Sequence, residues 1–353
     1  MPSVKDSVLG LLGLATTNLA HVLPTVRQSP QLASRNIDDF YFPSGAGACS
    51  ESQMDAINEW IDDVTDILIP AALDALDAYT PNTAQTLMAL LGVEYDVILN
   101  EPKDKDELAT IKRWFDEAHS FLDGKLVGTD YDHDKAWIFC GDNYQEHKSV
   151  NDVAYNTEGE ALKDDDGEDV RIWQVPEYAA KLSQGRVPVW IPDVNAYRFA
   201  RSGDFLPGTP GTECTAARAF VYTVSRNLII DVCTSGKEGG LFEFGSSDVI
   251  DGVEVTEHQL IDRLRSQSVI LLHETFHAIR PWDNDHAKNS HQCYSLAISD
   301  RSKAQASPEC LALFAAAMYF QTNSQDDEKW VFWRLYAEHQ DDAWGDLAKS
   351  PAA

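Results

Sequence analysis

The chain has 353 residues, with 57 acidic against 28 basic side chains and a formal net charge of −29. A surface this negative repels phosphate backbones and anionic headgroups, so nucleic-acid and membrane-surface binding are not expected. Hydrophobic residues make up 44% and aromatics 10%, enough to bury a large core and to exclude global disorder.

In chain order, Lys5 precedes a short apolar run from Val8 to Ala15, and small or polar residues follow to Ala20. Residues 1–20 therefore read as a secretory signal, too short to span a bilayer. Residues 21–48 carry Pro, Ser and Gly without periodicity and read as a leader or linker; residues 49–350 read as one domain. Ser50 or Ser52 can cap a helix with Met54, Ile57, Trp60, Ile61, Val64 and Ile67 on one face. Further helices are expected near Thr83 to Leu99 and Glu107 to Leu122. Short β-type runs follow at Ala136–Cys140, Val170–Val175, Val187–Ile191, Phe220–Val224, Leu228–Cys233 and Leu241–Phe244. The acidic stretch Asp164 to Asp169 lacks the alternating spacing of a calcium loop and reads as a solvated turn.

Helical signals then return. Thr256-Glu257-His258-Gln259 is a capping-box pattern with Val255 and Leu260 as its hydrophobic staple, and it predicts a helix to about Arg280, ending before Pro281. Ser307-Pro308-Glu309 predicts another start, with Pro at the first helical position. A last helix is expected near Asp327 to Asp346. The order of elements predicts an α+β fold. Six cysteines without any CxxC pair point to disulfides in an oxidising compartment. Six allow 15 connectivities; the sequence-near pairs, Cys214 with Cys233 and Cys293 with Cys310, leave Cys49 with Cys140.

The segment His273-Glu274-Thr275-Phe276-His277 carries the chemistry. Two histidines four residues apart lie one helical turn apart on one face and can grip one metal ion. Glu274 is then placed as general base toward a zinc-activated water, whose pKa zinc lowers to about 7. A catalytic zinc needs a third protein ligand, and Asp283, Asp285, His291 and Glu309 all compete for that place.

Several pieces of the chain, in order, resemble the deuterolysin-type zinc peptidases, the aspzincins, which include fungal lysine-specific metalloendopeptidases. They are Cys49-Ser50-Glu51-Ser52-Gln53 before the first helices, Phe220-Val221-Tyr222-Thr223 leading to Ile229-Ile230-Asp231-Val232-Cys233, the HExxH segment, and Ala312 to Tyr319. The resemblance implies a zincin-like fold: a helical N-terminal part, a small twisted sheet over an active-site helix, and a helical C-terminal part. It also implies His273 and His277 as zinc ligands and Glu274 as base. The family's third ligand is the Asp of an Asp-x-x-Tyr-Gly motif. Its best equivalent is His291-Gln292-Cys293-Tyr294-Ser295, which makes His291 the leading third ligand and Tyr294 the oxyanion-stabilising residue. The resemblance thus implies a secreted, monomeric metalloendopeptidase acting on protein or peptide chains; lysine specificity does not carry over. The departures from the family motif leave a second reading, a catalytically silent secreted binding protein.

Overall fold

The computed structural model describes residues 37–96, 99, 101–125, 135–201, 213–215, 217–235, 240–243, 247–280, 285–323, 330–333 and 335–339. The chain divides at Ser34–Arg35; residues 1–34, with the expected signal segment, lie outside the described residues. None of the described helices is long and apolar enough to cross a membrane.

Helices form where caps and periodicity coincide. Helix α1 (Glu51–Asp63) opens on a complete capping box, in which the Ser50 side chain accepts from Gln53 N and Gln53 reaches back to Ser50 N. One π-type turn at Val64–Leu68 carries it into α2 (Ile69–Ala78). Helix α3 (Pro81–Leu91) has Thr80 as cap and Pro81 in its first turn, and stops at Gly92 in the left-handed region. A Cβ at Gly92 would meet the Ala297 carbonyl oxygen at 2.7 Å, so this close approach needs glycine twice over. After the short pair β1 (Tyr95–Asp96) and β2 (Glu101–Pro102) comes α4 (Lys105–Leu122), capped by Asp104 and burying Ile111, Trp114, Phe115, Ala118, Phe121 and Leu122.

The middle of the chain builds two three-stranded sheets. Their strands are β3 (Trp137–Phe139), β4 (Glu146–His147), β5 (Arg186–Ile191), β6 (Ala196–Arg201), β7 (Ala219–Val224) and β8 (Asn227–Val232), with helix α5 (Pro176–Leu182) before β5. One sheet has the order β3-β8-β7, β3 parallel and β7 antiparallel to β8; the other is the antiparallel β4-β5-β6. Phe139, Tyr144, Ile191, Ala196, Val224 and Ile229 join them in one apolar cluster. Within it the Tyr144 hydroxyl donates to Asp231 Oδ2 at 2.8 Å, and burial pushes the Asp231 carboxyl well above the usual range.

Four helices and a hairpin complete the fold: α6 (Gln267–Ile279), α7 (Ser290–Ser299), α8 (Arg301–Ala306), α9 (Pro308–Thr322), then β9 (Trp330–Trp333) antiparallel to β10 (Tyr336–His339). Every residue of α9 from Pro308 to Phe320 is buried. It forms the centre of the core, packed against α2, α3, α6 and β9. The architecture is thus mixed helix and sheet with small sheets, as the order of signals predicted. Both sequence-near disulfides, Cys214–Cys233 and Cys293–Cys310, are present, and so is the remaining pair, Cys49–Cys140.

Several expectations are corrected. Residues 37–48 are not a linker: Phe40 is buried against Phe121, and Tyr41 pairs with Trp137. The second helix ends at Leu91 instead of near Leu99. Val170–Val175 holds one isolated bridge, at Arg171, and a 3-10 turn, and Leu241 to Glu243 is a turn; strand β6, partner of β5, lies outside the expected runs. Asp164 to Asp169 is the expected turn, Asp164 Oδ1 accepting from Asp166 N and Glu168 N. The Thr256 pattern does not open a helix. Gln259 does accept from Thr256 N, but His258 is left-handed and the segment bonds to β10 through His258 N→Ala337 O and Ala337 N→Gln259 O. In place of the predicted last helix stands the β9–β10 hairpin, because Trp330 and Phe332 alternate inward with the period of a strand.

Asp63 supplies a pH prediction. It is 4% exposed, its Oδ2 accepts from Ile250 N at 3.0 Å, and Ser268, Asp251 and Tyr319 stand around it. Burial pushes its carboxyl from 3.8 to about 6. The folded state thus holds this proton more tightly than the unfolded chain. The stability contribution is full below 3.8 and lost as pH rises through about 6. Between pH 4 and 7 the stability of Asp63→Asn relative to the natural protein should rise by on the order of 2–3 kcal/mol. Urea unfolding at several pH values would measure it; a difference that stays constant with pH would assign the shift elsewhere.

Candidate metal centre

Helix α6 starts at Ser266, whose side chain accepts from Val269 N. It is buried almost all round, against α9, α4, α1 and β7. Thr275 donates to the Leu271 carbonyl at 2.8 Å, and Phe276 meets the Phe115 ring edge-on. The residues left half-open from Ile270 onward are Ile270, His273, His277 and Arg280, spaced 3, 4 and 3 apart. They make one stripe along the helix, and the two histidines occupy its middle.

On that stripe three donor atoms converge. His277 Nε2 lies 3.0 Å and His273 Nε2 3.3 Å from the same oxygen, Asp285 Oδ1. Among the described residues, His273, His277 and Asp285 form a group whose ligand atoms all lie within 4.8 Å of one another. Glu274, on the buried flank beside them, is 6% exposed.

Charge is concentrated here. Burial alone would lift the Asp285 carboxyl, but hydrogen bonds from both imidazoles outweigh it and hold Asp285 far below the usual carboxylate range. Burial works against a charged His273, yet Asp285 and Glu309 overcome it and push the ring up to about 10. Burial also raises the Glu274 carboxyl, and the two histidines oppose that rise only in part.

The donor set suits zinc. Two imidazoles and one carboxylate are a three-ligand set that leaves a fourth position open. Bonds of about 2.0–2.1 Å in a tetrahedron set ligand atoms about 3.3–3.4 Å apart, close to the 3.0 and 3.3 Å separations found. A second group of donors, Cys214, Asp231 and Cys233, is no such site, because its two sulfurs are bonded to each other.

Compared with protein-family models, curated proteins and solved structures, the chain has no match. The site is therefore read from its own residues.

Of the four candidate third ligands, Asp285 joins the histidines. His291 does not: α7 is capped by Asn289 and begins at Ser290, which leaves His291 exposed in its first turn. Tyr294 owed its oxyanion role to its spacing from His291; it is half-buried on α7 and packs against the main core. The position three beyond Asp285 is Lys288, so that role has no tyrosine in the new register. Asp283 lies outside the described residues. Glu309 does reach His273, but on the other ring nitrogen, with Oε2 3.1 Å from Nδ1. Arg265, which pairs with Glu309 and Asp262, escaped the sequence reading; a lone arginine one residue before a helix cap carries no local signal.

Proposed function

We propose that this protein is a secreted zinc-dependent endopeptidase of zincin type, hydrolysing protein or peptide chains with Glu274 as general base. The observation that carries the reading is the convergence of His273 Nε2, His277 Nε2 and Asp285 Oδ1 beside a buried glutamate on one helix. Bound zinc would supply Lewis acidity, polarising the scissile carbonyl and lowering the pKa of water. The chain's own part is to hold the ligands and to move a proton. Glu274, adjacent to His273 and shielded from solvent, takes the proton of the attacking water and delivers it to the leaving amine. Strand β7, at the edge of its sheet and packed on α6, offers backbone groups to an extended substrate.

Other features agree. Asp285 restores the two-histidine, one-aspartate set of the deuterolysin-type enzymes that the sequence resembles. Three disulfides suit an oxidising compartment.

Purified protein should hold about one zinc per chain and cleave casein, losing cleavage to a chelator and regaining it with zinc. A zinc-loaded chain that cleaves no protein or peptide would favour the silent binding protein instead.

A further inference from the structure

The two ring nitrogens of His273 face different partners. Nε2 points to Asp285 and Nδ1 to Glu309. Glu309 is 4% exposed and sits in the first turn of α9. Its other oxygen pairs with the guanidinium of Arg265, the residue before the α6 cap. Arg265 also donates to Asp262 Oδ1 at 3.1 Å and to the Lys288 carbonyl at 3.3 Å. Asp262 in turn accepts from Ser290, from N at 2.8 Å and from Oγ at 2.6 Å. One polar chain therefore runs from the start of α7 through Asp262, Arg265 and Glu309 to the first histidine of α6. The Cys293–Cys310 disulfide ties the same two helices, α7 and α9, one residue beyond Glu309.

We propose that Glu309 is a positioning residue of the metal site, whose carboxylate, held by Arg265, which is itself paired with Asp262, fixes His273 with its proton on Nδ1 and its lone pair on Nε2. The inference rests on the metal reading above. Its physical basis is the donor inventory. A carboxylate offers only acceptors, so the nitrogen it meets must carry the hydrogen; in a neutral imidazole the other nitrogen is then the ligand. Buried and braced on both sides, Glu309 also holds the ring plane, so the ligand atom does not have to be oriented at the moment of binding. Glu309 is thereby removed from the candidate ligands, and Arg265 and Asp262 gain a role.

The same inventory makes a sharp prediction for Glu309→Gln, which changes almost no volume. Arg265 has only donors, so the amide oxygen stays on Arg265 and the amide NH2 turns to His273. Nδ1 must then accept, the proton moves to Nε2, and the atom facing Asp285 loses its lone pair. Glu309→Asp keeps the acceptor and the charge although it shortens the reach. Zinc affinity, measured by competition with a chromophoric chelator, should fall about 10–100-fold in the Gln variant and less in the Asp variant. A role confined to packing gives the opposite order, since Gln fits the space better than Asp. Gln binding zinc as tightly as the natural protein, or more tightly than Asp, overturns the proposal.

If the Gln variant does not fold, the unaltered zinc-loaded protein decides. Long-range nitrogen–proton spectra should find the His273 proton on Nδ1 and the metal on Nε2. Zinc held through Nδ1 would overturn the brace while leaving the metal site standing. A folded chain that binds no zinc at all would overturn the metal reading, and this one with it.

Discussion

Glu274→Gln should lower casein cleavage by about 10²–10⁴-fold, the usual contribution of a general base, with zinc content unchanged. The glutamate shares α6 with both histidines, yet it is buried and is not one of the three converging donors. Glutamine keeps its size and one of its oxygens but cannot take a proton. Burial already pushes the Glu274 carboxyl upward, which favours the form that carries a proton. Metal analysis and kcat measured on the same sample separate the two functions. A Gln variant that cleaves normally would end the general-base assignment, and one that loses zinc would make Glu274 part of the metal-holding set.

Asp285→Ala should weaken zinc binding by more than about a hundredfold, beyond what loss of an outer-shell partner costs, whereas His291→Ala should leave it unchanged. Asp285 Oδ1 is the atom both imidazoles address, at 3.0 and 3.3 Å. His291 stands exposed at the start of α7. Equilibrium dialysis of the two variants beside the natural protein tests the pair directly. Zinc loss on replacing His291 with retention on replacing Asp285 would reverse the ligand assignment.

Much of the local structure was legible in the sequence. Ser50 or Ser52 before an apolar face announced α1, Ser307-Pro308 announced α9, and the apolar runs at β5, β7 and β8 announced strands. Caps and alternation act within a few residues, so they survive without knowledge of the rest of the chain. The Thr256 segment failed for the opposite reason. Its capping-box pattern was real, but backbone bonds from β10, about eighty residues on, captured it as a turn. The Trp330 segment failed because its aromatics suit either period, and pairing with β10 selected the strand.

The same division holds at the site. That His273 and His277 share one face of α6 was determined by sequence alone, because a four-residue spacing on a helix puts two imidazoles on one face whatever surrounds it. Which further side chains meet these two imidazoles was decided only by tertiary structure. Asp285 comes from a loop after the helix, Arg265 from before it, and Glu309 from α9. Four carboxylate or imidazole candidates were chemically equivalent as residue types. What separates Asp285 on Nε2 from Glu309 on Nδ1 is the direction from which each approaches one ring. That direction is set by how α6, α7 and α9 pack, a non-local property that no spacing of residues along the chain encodes.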